Sequence, residues 1–474
     1  MSIIIPANSA VGGGFDVDNS LRFEWADAGN LNKTLGTATN RKKFTISTWV
    51  KRSDLYTNGA SRSNYVIAAG TSANTNVDEL YFRFDTIDFS AYESSSTKFQ
   101  LRSDAVFRDV AAWYHLVIAF DSTQGTSSNR IKIYVNNVQI TDWDIETYPS
   151  QNLEPLFNKN VQHMIGRVLD GAKYYGGYMS EFVFIDGQQL DPTSFGEFDE
   201  DSGTWKPIRV SGLTFGTNGF YLEFKDSSAL GADTSGNSNN FTVVNIAATD
   251  QSTDTCTNNF ATLNFLNNRA TLTQGSLQML TSGGNKFGSS STIQVSQGKW
   301  FCELKYVSET GAKEAIFGIT SAASENNRTD NDYVSPYAYG YYTDNGSIYN
   351  NNGATSYGSS VSIGDIVGIA LDLTNNKLYF AINGTWQNSA NPATNSNGFS
   401  ITAVGSGTPE GGYAFYGGDI STTGSRQATL SFNFGSPAFA ISSGNADADG
   451  YGNFEYAVPS GYFALNTKNL AEYG

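Results

Sequence analysis

Short runs of alternating apolar and polar residues recur along the whole chain. In the run from Phe44 to Val50, the side chains of Phe44, Ile46 and Thr48 fall on one face, and Ser47 and Trp49 fall on the other. This period of two predicts a β-strand with two different faces. The run from Trp113 to Phe120 is almost continuously apolar. We therefore predict a central strand there that is buried on both faces.

Turn residues separate many of these runs at hairpin spacing. The segment Ile131–Ile140 contains the pair Asn136-Asn137, and the run after Lys377 contains Asn383-Gly384. Asparagine and glycine tolerate the positive φ values that tight hairpin turns require. These segments predict antiparallel strand pairs in both halves of the chain.

Composition supports an all-β fold with more than one domain. The 474 residues include 48 glycines and only 10 prolines, and 14% are aromatic. No stretch shows helical spacing over a length that would form a major helix. Since β-sandwich domains often reach about 200–250 residues, two domains fit this length best. We predict a sandwich over residues 1–205, a connector with a strand over 206–258 and a second sandwich over 259–474.

Charge and the scarcity of histidine and cysteine exclude several functions. The formal net charge of -16 disfavours direct binding to nucleic acid or to an anionic membrane surface. The residues required for a zinc site or a serine–histidine mechanism are almost absent, because the chain has only Cys256, Cys302, His115 and His163. We predict both histidines to be core or sheet residues. The N-terminus lacks the features of a secretory leader, and no apolar run reaches membrane-spanning length.

Each half of the chain resembles a known domain family. The first resembles the laminin-G and concanavalin A-like superfamily through four segments, namely Phe44–Lys51, Trp113–Val117, Tyr134–Asn136 and Tyr178–Ile185. The second resembles the SPRY domain, which is also a concanavalin A-like sandwich, through Gly298–Phe301, Gly340–Tyr342, Gly364–Gly368, Leu378–Phe380, Asn383–Trp386 and Leu430–Gly435. The resemblance implies two tandem concanavalin A-like antiparallel β-sandwiches, or jelly rolls.

The chain as a whole is similar to structural proteins of bacterial and marine viruses. This resemblance is carried mainly by Ile3–Ala10, Asp18–Phe23, Asp186–Pro192, Thr204–Pro207 and Asp254–Phe260. It implies a non-enzymatic virion protein of the tail-fibre, receptor-binding or capsid-decorating type, assembled in the host cytoplasm. Its partners would be other virion proteins, host surface glycans and further copies of itself, often as a trimer.

Exposed aromatic rings are the first candidates for a binding site. A sugar binds by stacking its apolar face on an aromatic ring while polar side chains hold its hydroxyl groups. The candidate rings near turns are Trp143, Tyr174, Tyr175, Tyr333, Tyr337 and Trp386. The Asn-Gly-x-Trp pattern at Trp386 also belongs to the SPRY resemblance, which favours a packing role there. We predict Trp49, Trp113 and Trp300 to be core residues.

Acidic residues suggest a calcium site more readily than a catalytic one. Laminin-G relatives often bind calcium through rim-loop oxygens, as a hard cation requires. Here Asp121, Asp142 and Asp170 follow strand ends, so they are the candidate calcium ligands, although no cofactor is required. Related glucanases use alternating acids on one strand face. Two runs resemble that pattern, Asp142/Asp144/Glu146 and Glu197/Asp199/Asp201, and we expect both to be solvated edge or loop faces.

Three functions remain open. The favoured one is a fibre or adhesin protein that displays lectin-like modules for attachment to host glycans. The second is a capsid-stabilising protein with no host ligand, and the third is a glycan-degrading depolymerase whose activity would depend on Asp144 or Glu146. A cellular adhesion module is disfavoured, since nothing in the sequence directs secretion.

Overall fold

The computed structural model describes residues 14–55, 64–72, 75–169, 173–281, 288–321, 335–405, 411–420 and 426–474. Within these ranges the regular structure is almost entirely β-strand, with one short α-helix, α1, at Thr467–Tyr473. The chain divides into two compact units, one ending at Thr257 and the other beginning at Asn258. The prediction of an all-β fold with antiparallel sandwiches is confirmed.

The N-terminal unit contains 18 strands within its described residues. In chain order they are β1 Ser20–Phe23, β2 Asn30–Thr34, β3 Lys43–Arg52, β4 Asn64–Ser72, β5 Asn76–Arg83, β6 Thr86–Glu93, β7 Ser96–Val106, β8 Trp113–Asp121, β9 Ile131–Val135, β10 Val138–Gln139, β11 Trp143–Thr147, β12 Gln162–Ile165, β13 Gly177–Asp186, β14 Gly196–Phe198, β15 Trp205–Pro207, β16 Phe220–Leu222, β17 Thr242–Val244 and β18 Gln251–Ser252.

Two large sheets and a small hairpin organise these strands. The first sheet has the order β10-β9-β8-β3-β13-β1-β18, with β16 also paired to β13. The second sheet has the order β11-β7-β6-β5-β4-β12-β2-β17, and β14 pairs with β15 separately. Apolar residues from the inner faces of both sheets form one core, which includes Phe44, Ile46, Phe89, Leu101 and Phe184. This arrangement is a β-sandwich.

The patterned segments of the first half form the strands that the sequence predicts. The alternating run beginning at Phe44 lies in β3, which pairs along its length with β8. The apolar run from Trp113 lies in β8, between β3 and β9, and is buried along nearly all of its length. The turn between β9 and β10 uses Asn136 at φ 48° and Asn137 at φ 67°. These positive φ values explain why asparagines occupy this hairpin turn.

The segment 206–258, which the sequence suggests is a connector, adds three strands to the N-terminal sheets. Strand β16 pairs with β13, β18 pairs with β1, and β17 pairs with β2 in the second sheet. Its polar stretch forms a turn around Asp233, whose carboxylate accepts hydrogen bonds from the backbone N–H groups of Tyr221, Ser235 and Asn239. The segment up to Thr257 therefore belongs to the N-terminal unit.

The C-terminal unit contains 16 strands within its described residues. They are β19 Leu263–Asn268, β20 Thr271–Thr273, β21 Gln278–Leu280, β22 Ser289–Ser291, β23 Lys299–Glu309, β24 Ala315–Ser321, β25 Ala338–Tyr342, β26 Ser347–Asn350, β27 Gly353–Ser356, β28 Ile366–Asp372, β29 Lys377–Ile382, β30 Thr385–Trp386, β31 Phe399–Ser400, β32 Tyr413–Asp419, β33 Ala428–Asn433 and β34 Phe463–Ala464.

These strands also form two sheets around a single main core. One sheet has the order β19-β22-β32-β24-β25-β26-β27. The other has the order β20-β21-β33-β23-β28-β29-β30, with β31 paired to β29 and β34 to β23. Trp300, Phe317 and Phe380 lie in the core between them. The predicted hairpin turn at Asn383 is confirmed, because this residue has positive φ, and Asn376 has positive φ in the turn between β28 and β29.

A buried glutamate fixes the C-terminal segment against this second sandwich. The carboxylate of Glu303 accepts hydrogen bonds from the backbone N–H groups of Glu455, at 2.9 Å, and Tyr456, at 2.8 Å. Asn433 donates a third hydrogen bond from its side-chain amide. Burial nevertheless raises the pKa of Glu303 to about 7. The carboxyl group of Glu303 thus holds loop backbone in place and is not presented to solvent.

Candidate functional site

The outer face of the first sheet is covered by the chain itself. Trp49, Trp113 and Tyr178 form one buried cluster there, and Trp205 and Cys256 from later segments pack on it. A second cluster places Phe195 and Tyr221 against Val117, Val183 and Ile185. The predicted core role of Trp49 and Trp113 is confirmed. These later segments therefore pack on the outer face of the first sheet.

A buried ion pair lies under this cover. The Nζ atom of Lys51 is 2.7 Å from Oδ2 of Asp254, and both side chains are only 1% exposed. The indole Nε1 of Trp113 donates a hydrogen bond to the other carboxylate oxygen of Asp254 at 3.2 Å. A buried charge is tolerated only when it is paired and hydrogen-bonded. The pair therefore helps to fix the segment around Asp254 on the sheet.

The contact between Ser47 and His115 is structural. Nε2 of His115 lies 2.8 Å from the Ser47 hydroxyl, and Nδ1 accepts a hydrogen bond from Trp205 Nε1 at 3.0 Å. His115 is fully buried, and burial lowers its pKa to about 3. The ring is therefore neutral and both of its nitrogens are engaged. The prediction that His115 and His163 are core or sheet residues is confirmed, since His163 is also fully buried.

The outer face of the second sheet is different, because it carries charged and aromatic side chains in register. Across β7, β6 and β5, Arg102 pairs with Asp88, and Asp88 pairs with Tyr81. The next row pairs Gln100 with Ser90 and Ser90 with Glu79. Residues opposite each other on adjacent strands share one face of a sheet. We call this surface the tyrosine face and define it by Tyr65, Glu79, Tyr81, Asp88, Ser90, Tyr92, Gln100 and Arg102.

A hydrogen-bonded clamp organises one end of the tyrosine face. Oδ2 of Asp88 accepts hydrogen bonds from Nε of Arg102 at 2.8 Å and from the amide of Gln100 at 2.9 Å. Nη1 of Arg102 reaches Asp144 at 3.1 Å, so one guanidinium bridges two carboxylates. Asp88 is fully buried, and its Oδ1 has no hydrogen-bond partner within the described ranges. The Arg102 side chain is 12% exposed and therefore reaches the surface above Asp88.

Three tyrosines extend from this clamp. The rings of Tyr65 and Tyr81 stack with centroids 4.7 Å apart, and Nζ of Lys173 lies 5.8 Å from the Tyr65 centroid. These two rings are largely covered, whereas Tyr92 is half-buried and open to solvent on one side. Burial, followed by the nearby Asp88 carboxylate, raises the pKa of Tyr92. The phenol therefore stays protonated and can donate a hydrogen bond.

The predicted ring pair Tyr174-Tyr175 is divided between surface and core. Tyr174 is half-buried, with its ring edge-on to Trp25 at a centroid distance of 6.4 Å and with the Arg167 guanidinium 5.5 Å from its centroid. Tyr175 is fully buried, and its hydroxyl donates to the backbone oxygen of Lys51 at 3.1 Å. The prediction is therefore wrong for Tyr175. Successive residues of an extended segment point to opposite sides, so only one ring of the pair stays at the surface.

The other predicted aromatic residues that the structure describes each pack within their own unit. Trp143 is half-buried against the N-terminal core, and Tyr337 is half-buried against the C-terminal core. Trp386 packs edge-on against Tyr379 with centroids 6.5 Å apart, in agreement with the packing role that its motif favours. Tyr333 lies outside the described residues. None of the described rings belongs to the tyrosine face.

The two candidate calcium ligands that the structure describes, Asp121 and Asp142, have different surroundings. The carboxylate of Asp121 accepts hydrogen bonds from Thr123 and Gln124 and lies 3.1 Å from Lys43. Although burial opposes the change, these contacts lower the pKa of Asp121 overall. Asp142 is exposed just before β11, and Asp170 lies outside the described residues. Within the described ranges, no three acidic, histidine or cysteine side chains cluster in a way that could hold a metal ion.

The two alternating acidic runs have different environments. In β11, Asp144 and Glu146 are exposed at the edge of the second sheet, and a register shift separates Trp143 from Ile145. In the second run, Asp199 is buried and accepts hydrogen bonds from Ser202 while forming an ion pair with Lys206 at 3.0 Å. Asp199 therefore closes a turn after β14, and Asp144 contributes to the clamp on the tyrosine face.

Sequence reasoning missed the residues that form the tyrosine face. The necessary signal was present, because Asp88, Ser90 and Tyr92 alternate with apolar residues in β6, and Gln100 and Arg102 do the same in β7. Such alternation predicts a polar outer face. However, the pairing of β6 with β7, which places Asp88 opposite Arg102, depends on a register that the pattern alone does not specify.

Comparisons with known proteins agree with the two folds. Residues 14–190 match the sequence model of the concanavalin A-like lectin/glucanases superfamily, and residues 303–417 match that of the SPRY domain. No match was found among curated proteins. No helix in the described part of the chain has the length and apolar character needed to span a membrane.

Several solved structures are similar to parts of this chain. The SPRY domain of human HERC1 is 14% identical, with 33% of this chain and 81% of that chain covered and a TM-score of 0.25. A putative carbohydrate binding protein from Bacteroides ovatus is 14% identical, with 48% and 58% covered and a TM-score of 0.32. A SAP-like pentraxin from Limulus polyphemus is 15% identical, with 37% and 80% covered and a TM-score of 0.27. On the family matches and the strand topology, the chain contains a concanavalin A-like sandwich followed by a SPRY domain.

Proposed function

We propose that the N-terminal sandwich binds carbohydrate through the tyrosine face. The observation that carries this proposal is the clamp in which Asp88 and Asp144 hold the Arg102 guanidinium on the same sheet face as the partly exposed ring of Tyr92. A sugar ring can stack on Tyr92 while its hydroxyl groups form hydrogen bonds with the Arg102 guanidinium and the Asp144 carboxylate, which are already held in place. Preorganised polar groups lose little entropy when a ligand binds.

The fold is compatible with this function but does not by itself assign it, since one fold supports many activities. The chemistry of the face supplies the argument. Arg102 and Gln100 provide donors, and Asp144 provides acceptors at the exposed edge of the sheet. The net charge of -16 disfavours nucleic acid, with its dense phosphate charge, as the ligand.

The test is to compare variants on an array of immobilised neutral and uronate-containing polysaccharides. We expect Arg102→Lys to weaken binding about tenfold, or about 1.4 kcal/mol. Lysine keeps the charge but cannot bridge two carboxylates with a planar fork. The matched control is Arg108→Lys, because Arg108 is 61% exposed and pairs with Asp85 away from the tyrosine face. Equal loss in both variants, or unchanged binding by Arg102→Lys, would contradict the proposal.

We also propose that the chain is a structural protein of a virus particle, where its sugar-binding modules attach the particle to a host surface. The support is the resemblance of its sequence to viral structural proteins. In a homo-oligomer, repeated weak sites would raise the overall affinity through avidity. Mass spectrometry of purified particles should detect the chain at a constant ratio to the major capsid protein, and its absence from washed particles would refute this role.

A further inference from the structure

A small cavity opens at one end of the N-terminal sandwich, close to Tyr92. Its volume is about 220 Å³, and its lining includes Asp78, Tyr92 and the segment from Leu153 to Leu156. That volume equals roughly seven waters at about 30 Å³ each, and it lies below the roughly 300 Å³ of pockets for drug-sized ligands. The cavity therefore has room for one small unit, such as a single sugar ring.

Three basic side chains line this cavity, and two of them are neutralised. Arg41 bonds to the Glu154 carboxylate at 2.8 Å and to the backbone oxygen of Pro155 at 2.7 Å. Lys98 lies 3.1 Å from Glu93. The third, Lys159, has no side-chain hydrogen bond or ion pair within the described ranges, yet it lines the same cavity. The Glu154 and Glu93 carboxylates of the lining are already paired with Arg41 and Lys98, so the Lys159 ammonium is available to the carboxylate of a ligand.

A buried carboxyl group supplies the complementary acceptor. Asp78 is 1% exposed, and its Oδ2 accepts a hydrogen bond from the backbone N–H of Phe157 at 2.7 Å. Burial raises the pKa of Asp78 to about 7. Near neutral pH this carboxyl group can therefore accept or donate a hydrogen bond. An acid of this kind in a cavity is a common feature of binding sites.

We propose that this cavity binds an acidic sugar unit, with the sugar carboxylate paired to Lys159 and a hydroxyl group bonded to Asp78. Tyr92 is the residue that the cavity lining and the tyrosine face share. The inference rests on the proposed carbohydrate-binding function and specifies its ligand class as a uronate-containing glycan. The carboxylate distinguishes this ligand from a neutral sugar, and the hydroxyl contact distinguishes it from a simple carboxylic acid.

The experiment is a titration of the full chain with glucuronate, glucose and acetate, followed by NMR or calorimetry. We expect the wild-type protein to bind glucuronate at least tenfold more tightly than either of the other two. Lys159→Met should abolish the preference for glucuronate over glucose, because it removes the ammonium partner of the carboxylate. Asp78→Asn should weaken both sugars, because the amide changes the hydrogen-bonding groups at the base of the cavity.

The control is Lys132→Met, which removes the same charge from β9 in the first sheet and should keep the full preference. The proposal is overturned if glucuronate binds no better than glucose or acetate, or if the preference survives Lys159→Met. It is also overturned if Lys132→Met removes the preference equally, since a general charge effect would then explain it. Polysaccharide binding that depends on Arg102 without any uronate preference would reject the cavity but leave the tyrosine face in place.

Discussion

The two outer faces of the N-terminal sandwich use polar residues in opposite ways. On the first sheet, Lys51 and Asp254 form an ion pair that is closed off by the segments carrying Trp205 and Cys256. On the second sheet, Arg102 holds Asp88 from the solvent side and also reaches the exposed carboxylate of Asp144. The first arrangement holds the chain together, and the second presents fixed polar groups at the surface.

This contrast shows why buried charge alone does not identify a functional site. The Lys51–Asp254 pair is more deeply buried than the Arg102 clamp, yet every element around it comes from the same domain. Structural ion pairs also perturb pKa values, so a site must additionally be accessible to its ligand. The partly exposed ring of Tyr92, on the same sheet face as Arg102, meets that condition on the second sheet.

The largest effect should come from breaking the covered ion pair. Lys51→Met would leave the Asp254 carboxylate buried without its ammonium partner, which typically costs about 3–5 kcal/mol. We expect that loss in the free energy of unfolding of the N-terminal unit, measured by urea unfolding with tryptophan fluorescence. The double variant Lys51→Met/Asp254→Leu should recover part of the loss, because it removes the unpaired charge. If the Lys51→Met protein is as stable as wild type, the ion pair does not hold the segment around Asp254 on the first sheet.

A smaller loss should follow from changing Trp205, which covers His115. Trp205→Phe removes the Nε1–H donor to Nδ1 of His115 and leaves that buried nitrogen without its partner. Such an unsatisfied group costs about 1–3 kcal/mol, again measured by urea unfolding. Trp143→Phe is a suitable control, because Trp143 is only half-buried at the sheet edge and should change stability less. Equal losses in the two variants would argue against a special role for the His115 contact.

The difference between the two faces also explains what the sequence could predict. The alternation in the β3 segment and the apolar run of β8 specify buried strands directly, and the asparagine pairs specify the hairpin turns. The cover of the first sheet depends on contacts such as that between Trp113 and Asp254, which are 141 residues apart. The tyrosine face depends on the register between β6 and β7. Local patterns do not encode such distant pairings.

The prediction of a surface ring is wrong at Tyr175 for a related reason. Position near a turn indicates that a ring is close to the surface, but it does not say which side of the backbone the ring occupies. Tyr174 and Tyr175 are adjacent in sequence, yet one packs beside Trp25 and the other bonds to the backbone of Lys51 in the interior. Tyr92 was overlooked because it lies within a strand and not in a loop.

The smallest effect should come from Asp144→Ala at the edge of the tyrosine face. This variant distinguishes sugar binding from catalysis. Asp144 is 56% exposed, and Arg102 keeps its stronger contact with Asp88 in the variant. An exposed ion pair contributes about 0–1 kcal/mol, so stability should change by no more than that amount. Because Asp88 still fixes Arg102, polysaccharide binding should weaken by less than about threefold, or about 0.7 kcal/mol. If the wild-type protein releases reducing sugar and Asp144→Ala does not, the protein is a depolymerase. An exposed carboxylate would abolish the activity on removal only if it took part in the reaction.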